Sequence, residues 1–167
     1  MKEFSAILLI GMICCVVTIG CSKSPQEKHA TYLKSAQEYV DQKKFPEASI
    51  QYRNALKIAP DDADTLVMLG ENELRQARIR EAFQAFAKAS QADPKNMKAL
   101  SNLAALFLLT KDYKQALIYA DKMLKLNSKD IQARDYKAQA LFMTGKKEKA
   151  LKVVEDTLKE GALSETV

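Results

Sequence analysis

The segment ADTLVMLGENELRQARIREAFQAFAKASQADPKN, residues 63–96, shows most clearly a pattern that recurs along the chain. Residues of one type or size return every 34 positions in three registers. They are an alanine at Ala48, Ala82, Ala116 and Ala150, a small residue at Ala36, Gly70, Ala104 and Ala138, and a proline at Pro60 and Pro94, continued by Ser128 and Ala162. Because the period runs four times without an insertion or deletion, the chain is predicted to be a stack of four similar units.

The physical basis of this spacing is a pair of antiparallel helices in each unit. A helix of about 14 residues is about 21 Å long, and two such helices approach closely only where the facing side chains are small. We therefore expect Ala36 to meet Ala48, and Gly70 to meet Ala82. Apolar residues three and four positions apart form a stripe beside these contacts. One helix pair cannot cover that stripe, so the units are expected to stack.

The turns between units carry a signature of their own. Pro60 and Pro94 cannot continue the helices that precede them. Asp61, Asp62 and Asp64 suit the positive end of the next helix dipole and supply an N-cap, as does the segment PKN that begins at Pro94. Capping is favoured over calcium binding, because the glycine and the distant glutamate of a calcium loop are missing.

The second unit resembles the tetratricopeptide repeat, a helix–turn–helix unit of 34 residues. The matching positions are Leu66, Leu69, Gly70, Ala82, Phe86, Ala89 and Pro94. The resemblance implies an all-α fold, a right-handed α-solenoid with repeats at residues 29–62, 63–96, 97–130 and 131–164. The fourth repeat departs from the pattern, because Arg134 and Lys137 stand where large apolar residues are expected.

In that family the first helix of each repeat lines a concave groove, which implies that a helix or an extended segment of a partner protein binds there. The groove positions carried over to this chain are Lys34, Gln37, Asp41, Met68, Glu71, Arg75, Asn102, Leu109, Tyr136, Gln139 and Met143. Val67 is a further groove position. The groove is expected to become more apolar toward repeat four, where Leu108, Leu109, Phe142 and Met143 either line it or pack between repeats.

Some family members clamp the carboxylate of a chaperone peptide with basic and amide side chains. Lys98 and Asn102 would suit that role, but Leu33, Gln37 and Met68 do not complete the set. We therefore expect a different kind of protein partner.

The first 20 residues, MKEFSAILLIGMICCVVTIG, combine a short charged start with a mostly apolar run. The run resembles an export signal, and Gly20 followed by Cys21 resembles the lipobox of bacterial lipoproteins, although Thr18 stands where that family usually has leucine. The resemblance implies a signal peptide cleaved after residue 20, lipidation of Cys21 and a lipidated tether over residues 21–28. An uncleaved signal anchor is the alternative, because the run is close to the length that spans a membrane.

Cysteine content agrees with export. Past Cys21 the sequence contains no cysteine, so it has no disulfide framework and no thiol to oxidise. With Ser22 after Cys21, the resemblance implies a lipid anchor in the cell envelope, at the outer membrane and facing the periplasm. It also implies two settings, the assembly of pili or another envelope complex and the export of exopolysaccharide.

Residues suited to catalysis are scarce. His29 is the single histidine, and we expect it to be an ordinary exposed side chain. The segment TGKK, residues 144–147, lacks the glycine pattern of a phosphate loop and is interpreted as the turn inside repeat four. The sequence offers no metal-ligand cluster and no cofactor motif. We therefore predict a protein-binding scaffold that is not an enzyme and needs neither metal nor cofactor.

The net charge of the chain is +5, of which residues 97–130 carry +3 and residues 131–164 carry +2. A solvated, lysine-rich surface is the simplest interpretation. Direct binding of an acidic polysaccharide or an anionic lipid is the alternative function. Nucleic acid is not an expected partner, because the export signal takes the chain away from it.

The end of the array leaves three alternatives. A last helix is expected over about residues 147–160. Its apolar residues without an obvious cover are Leu151, Val154 and Leu158. In the first, Arg134, Lys137 and neighbouring lysines cap the array. In the second, a partner covers the end, or a second copy covers it and forms a homo-oligomer through repeat four. In the third, the chain is shortened from a longer array.

Overall fold

The computed structural model describes residues 24–164, with side chains as far as residue 159. Within this range the chain forms eight helices and no strand. They are α1 (Pro25–Asp41), α2 (Phe45–Ile58), α3 (Ala63–Arg75), α4 (Ile79–Ala92), α5 (Met97–Leu109), α6 (Tyr113–Leu126), α7 (Ile131–Met143) and α8 (Lys147–Ser164). The predicted all-α fold is confirmed, while the signal peptide and Cys21 lie outside the described residues.

The helices pair in sequence order, so that α1 packs on α2, α3 on α4, α5 on α6 and α7 on α8. Each second helix also contacts the first helix of the next pair. The first helices α3, α5 and α7 approach one another directly, which places them on the inner side of the curved stack. The chain is therefore an α-solenoid in which the first helices line the concave surface.

Close approach within each pair depends on small buried residues. Ala36 and Ala48 lie fully buried in one core cluster, as predicted. Gly70 lies against Phe86, because a Cβ built on Gly70 would be only 2.5 Å from Phe86 Cε1. The expected meeting of Gly70 with Ala82, one turn before Phe86 on α4, stays a prediction. The ring of Phe86 occupies the space that the missing side chain of Gly70 leaves open.

The turn inside each repeat contains one residue in the left-handed backbone region. These residues are Lys43, Ala77, Lys111 and Gly145, with φ of 59°, 57°, 62° and 78°. In the first turn Lys43 N donates to Val40 O (2.9 Å) and Lys44 N donates to Tyr39 O (2.8 Å). The other three turns repeat this pair of bonds, which is the Schellman motif that ends a helix. The TGKK segment is a turn, as predicted.

The first helices begin at side-chain caps. Asp62 Oδ1 accepts from the amide of Thr65 (3.4 Å), and Asn96 caps α5 in the same way. Asp130 caps α7. The predicted capping role of the segments after Pro60 and Pro94 is therefore confirmed for Asp62 and Asn96.

Both ends of the described chain differ from the sequence-based expectation. Ser24 caps α1 and forms a capping box with Glu27, so α1 starts at Pro25. Residues 25–28, predicted to be part of the tether, are therefore helical, because the capping box starts the helix at this point. The last helix runs to Ser164, four residues past its predicted end.

Repeats one and two are joined by a buried polar network. Glu73, whose residue exposure is 1%, accepts from Ser49 Oγ (2.9 Å) and Arg53 Nη2 (2.6 Å). Asn72 Nδ2 donates to Ser49 Oγ and to the carbonyl of Phe45, both at 2.8 Å. These bonds fix α3 against α2 and satisfy the buried carboxylate.

Repeats three and four meet through charged side chains, Arg134 and Lys137, where repeats two and three have leucine. Arg134 donates to the carbonyl of Ser128 from Nε (3.1 Å) and Nη2 (2.8 Å). Lys137 Nζ lies 2.7 Å from Asp121 Oδ1. Because both partners belong to repeat three, Arg134 and Lys137 lie between the repeats. These contacts do not support a capping role for the two side chains at the open end, and capping by the neighbouring lysines stays a prediction.

Candidate functional site

The concave surface carries the predicted groove residues on the four first helices. The exposed members are Lys34, Gln37, Asp41, Met68, Arg75, Leu109, Gln139 and Met143, and the half-buried members are Glu71, Asn102 and Tyr136. All eleven are accessible, and their role in binding stays a prediction. Val67 is different, because it is buried in the core cluster that contains Phe86 and Leu103. Its predicted groove position is wrong.

A cavity of about 270 Å³ opens at the middle of this surface, between α3, α5 and α7. Its polar lining consists of Glu71, Lys98, Ser101, Asn102, Asp130 and Gln132. Ser101 Oγ donates to Gln132 Oε1 (3.1 Å), a bond that ties α5 to α7. The cavity therefore presents carboxylate, amide and hydroxyl groups that can bind the backbone of a peptide.

A second feature of the concave surface is the row formed by the last residue of each first helix. The row consists of Asp41, Arg75, Leu109 and Met143. It changes from charged to apolar along the stack, with Leu109 67% exposed and Met143 54% exposed. These two side chains do not pack between repeats, which favours the groove interpretation over the packing interpretation for them.

Several of the polar and charged groove residues already have partners within the chain. Gln37 Nε2 donates to Asp41 Oδ1 (2.8 Å), and the guanidinium carbon of Arg75 lies 6.0 Å from the ring centroid of Phe45. Tyr136 Oη accepts from Gln132 Nε2 (2.9 Å). These contacts hold the side chains in defined positions without burying them.

The open end of repeat four continues the apolar surface. A cavity of about 580 Å³ lies between α7 and α8, with Gln139 and Phe142 on one side and Leu151 and Val154 on the other. Phe142 and Leu151 are both more than half exposed. The other two alternatives for this end, a covering partner or copy and a longer array, also stay predictions.

Two family models match the chain. One, described as "Tetratricopeptide repeat", matches residues 29–62. The other, described as "Anaphase-promoting complex, cyclosome, subunit 3", matches residues 76–157. The chain belongs to the tetratricopeptide repeat family. The family assignment predicted from repeat two is therefore confirmed.

Curated relatives of this tetratricopeptide repeat protein are much longer than the chain itself. It is 26% identical over 120 residues to "Anaphase-promoting complex subunit 3" of Schizosaccharomyces pombe, covering 72% of this chain and 18% of the relative. It is 25% identical over 122 residues to "Tetratricopeptide repeat protein 4" of Homo sapiens, covering 71% of this chain and 32% of the relative. The chain thus spans a third or less of either relative.

Solved structures of tetratricopeptide repeat proteins share the fold. MamA superposes with a TM-score of 0.75 at 16% identity, covering 83% of this chain and 81% of MamA. YrrB, described as having an unusual peptide-binding site, gives 0.68 at 23% identity, covering 77% and 66%. The first repeat domain of Spaghetti (RPAP3), bound to the HSP90 peptide SRMEEVD, gives 0.66 at 17% identity, covering 75% and 99%. At these identities the likeness concerns the fold.

Sequence reasoning missed two polar features of the tetratricopeptide repeat array. His29 is not simply exposed, because its Nε2 lies 3.2 Å from Asp62 Oδ2. The buried Glu73 occupies a position that is Tyr39, Phe107 and Leu141 in the other repeats. A charged residue at an apolar register was the signal that could have revealed this network.

The fold raises the pKa of the buried tyrosine Tyr52. Burial against α1 raises the pKa of its hydroxyl above the ordinary value, and the nearby charge of Arg75 partly offsets that rise. The phenol therefore stays neutral and serves packing rather than acid–base chemistry.

Within residues 24–164, no group of three or more His, Cys, Asp or Glu side chains is placed to hold a metal ion. No helix in that range has both the length and the apolar character needed to cross a membrane.

Proposed function

We propose that this protein is a non-catalytic scaffold that binds a segment of a partner protein in its concave groove. The observation that carries the proposal is that the first helices present both a polar cavity and the exposed apolar side chains of Leu109 and Met143. Apolar anchors bind alternate side chains of a peptide, while amide and carboxylate groups bind its backbone.

The relatives support this kind of binding. Two of the structural neighbours are described by their peptide-binding site or by a bound peptide, and both present the same stack of helix pairs. The chemistry of this groove differs from a carboxylate clamp, because Leu109 and Met143 make one half of it apolar. A partner segment with apolar side chains and few charges would fit that half best.

We further propose that the scaffold is anchored to the cell envelope through a lipid on Cys21, at the periplasmic face of the outer membrane. The support is the Gly20–Cys21 boundary at the end of the apolar leader, together with the start of α1 only four residues later, at Pro25. Such an anchored scaffold suits the assembly of a pilus or the export of exopolysaccharide, where several proteins must meet at one membrane.

A site-specific crosslink tests the groove. We would place a photo-crosslinking amino acid at position 109 of the full-length chain and, as a matched control, at position 118. Ile118 is an exposed apolar residue on α6, a second helix. We expect crosslinked adducts with a partner protein from position 109 in intact cells. The same adducts should disappear when Met68→Glu is added.

Three results would contradict the groove. Equal amounts of adduct from positions 109 and 118 would mean that the partner does not prefer the concave surface to the outer helices. Adducts from position 109 that survive Met68→Glu would mean that the partner does not extend along the groove. Loss of the adducts in high salt alone would point to charge rather than to the groove.

A further inference from the structure

The turns inside the four repeats lie along one edge of the solenoid, which we call the basic edge. It consists of residues 41–49, 75–83, 109–117 and 143–151, and contains ten Lys or Arg against five Asp or Glu. The opposite edge, residues 24–32, 58–66, 92–100 and 126–134, contains five Lys or Arg against six Asp or Glu. The basic edge thus has a net charge of +5 and the opposite edge −1.

Contacts between repeats establish that the two edges are separate. At the basic edge Asn72 and Gln76, near the end of α3, donate to the carbonyl of Phe45 at the start of α2. At the opposite edge Asn96 Nδ2 donates to Asp64 Oδ1 (3.0 Å). These bonds join repeats one and two at the basic edge and repeats two and three at the opposite edge, at the two ends of α3.

The cations of the basic edge are accessible. They are Lys43, Lys44, Arg75, Arg78, Arg80, Lys111, Lys114, Lys146, Lys147 and Lys149, all of them exposed. Arg78 lies 3.5 Å from Glu73. Among the described residues, Lys43, Lys44, Arg80 and Lys111 form no ion pair. Most of the positive charge at this edge is therefore not neutralised by the chain itself.

Helix ends add to this asymmetry. The first helices, which begin at the opposite edge, are capped by the side chains of Ser24, Asp62, Asn96 and Asp130. At the basic edge α2 and α4 have Lys44 and Arg78 at the N-cap, with no side-chain hydrogen bond to the first turn. At the same edge α6 differs, because Asp112 caps it by accepting from the amide of Gln115 (3.1 Å). The positive N-terminal ends of α2 and α4 therefore add to the charge of Lys44 and Arg78.

We propose that the basic edge binds a linear acidic polysaccharide. A row of cations that recurs once per repeat matches a chain of regularly spaced carboxylates. Seven of the ten cations are lysine, which interact as point charges and do not make the bidentate pairs by which arginine selects phosphate. Binding of this kind tolerates variation in the sugar and weakens with salt.

The position of the chain start favours a polymer over a membrane surface. Ser24 begins α1 at the opposite edge, and the 17 residues of α1 span roughly 25 Å at about 1.5 Å per residue. A chain held by residues close to Ser24 would therefore direct the basic edge away from the membrane that holds it. This orientation rests on the proposed anchor close to Ser24, and the basic edge adjoins the groove at the row of Asp41, Arg75, Leu109 and Met143.

Matched charge reversals test the proposal on the full-length protein. The edge variant combines Arg80→Glu, Lys111→Glu, Lys114→Glu and Lys149→Glu. The control variant combines Lys28→Glu, Lys57→Glu, Lys95→Glu and Lys129→Glu, which changes the net charge equally but away from the basic edge. Binding to alginate is measured by titration, with neutral dextran and phosphatidylglycerol vesicles as the other two probes.

We expect the edge variant to lose alginate affinity at least tenfold and the control variant to stay within about twofold, with no binding to dextran. Circular dichroism checks the fold, and glutamine in place of glutamate at the same four edge positions provides a milder variant, expected to weaken binding severalfold. Equal losses in edge and control variants would overturn the proposal. So would vesicle binding that depends on the edge while alginate does not bind.

Discussion

The left-handed residue in each repeat turn illustrates how a single backbone position is held by its surroundings. A residue with a Cβ is less stable in this region by about 1–2 kcal/mol, and among the four turns only repeat four has glycine there. Lys43, Ala77 and Lys111 adopt the conformation because the Schellman bonds and the packing of both helices require it. The side chain at this position is therefore a source of strain in three repeats.

Ala77→Gly is expected to stabilise the protein by about 0.5–1 kcal/mol, because it removes the Cβ at a left-handed position. Gly145→Ala, the matched reverse change, should destabilise by a similar amount, since a Cβ at Gly145 meets no atom within 4 Å and only its backbone conformation matters. Thermal unfolding measures both. A lower melting temperature for Ala77→Gly would contradict the expectation.

Gly70→Ala tests the contact with Phe86. Alanine favours a helix more than glycine does, by about 1 kcal/mol, but its Cβ would lie 2.5 Å from a fully buried ring. We therefore expect a net loss of about 1–2 kcal/mol in the free energy of unfolding from overpacking. The double variant Gly70→Ala with Phe86→Leu should lose less than the sum of the two single variants. Additive losses would mean that the two residues are not coupled.

The helix pairs are alike, but the interfaces between them differ in chemistry. Repeats one and two share the polar network around Glu73, repeats two and three share an apolar cluster that includes Phe86 and Leu103, and repeats three and four meet through Arg134 and Lys137. Charged side chains contribute less than leucine to such an interface, because partial burial removes hydration from them. Repeat four is therefore the unit expected to open most easily.

Replacing Arg134→Leu and Lys137→Leu together should stabilise repeat four by about 1–2 kcal/mol, because leucine buries more apolar area than a half-buried guanidinium or ammonium group, and the Asp121 side chain, 44% exposed, stays hydrated without its partner. Slower hydrogen exchange of amides in α7 and α8 would register the change. Lys129→Leu with Lys152→Leu, at exposed positions, serves as the control and should leave exchange unchanged. Faster exchange in the double leucine variant would show that the charged contacts hold the repeat in place.

Much of the element-level description could be predicted from the sequence. The 34-residue period, the turns after Pro60 and Pro94, and the caps at Asp62 and Asn96 all depend on local chemistry, which the sequence displays directly. The partner of Gly70 and the location of Arg134 could not be predicted, because each depends on which side chain of another helix arrives at the same place.

At the scale of the whole molecule, the two candidate surfaces adjoin: the groove lies on the concave side, and the basic edge meets it where the first helices end. The proposed lipid at Cys21 would attach to the opposite edge, close to Ser24.

Cys21→Ser is expected to move the protein from the membrane fraction to the soluble fraction, because serine cannot form the thioether to the lipid. Cys14→Ser and Cys15→Ser are the controls and should leave the distribution unchanged. Metabolic labelling with a radioactive fatty acid, followed by fractionation, measures the effect. Labelling and membrane association that persist in Cys21→Ser would rule out the lipid anchor.

The order of the helices follows from the amino-acid sequence alone, because small residues, turn formers and caps act on neighbours within a few positions. The distribution of charge along the sequence, by contrast, indicated an excess only in the second half of the chain. Folding brings Lys43, Arg80, Lys114 and Lys149 to the same edge, because each helix pair returns the chain to its starting edge after 34 residues. The buried network of Glu73 likewise depends on tertiary structure, since its partners come from the neighbouring repeat.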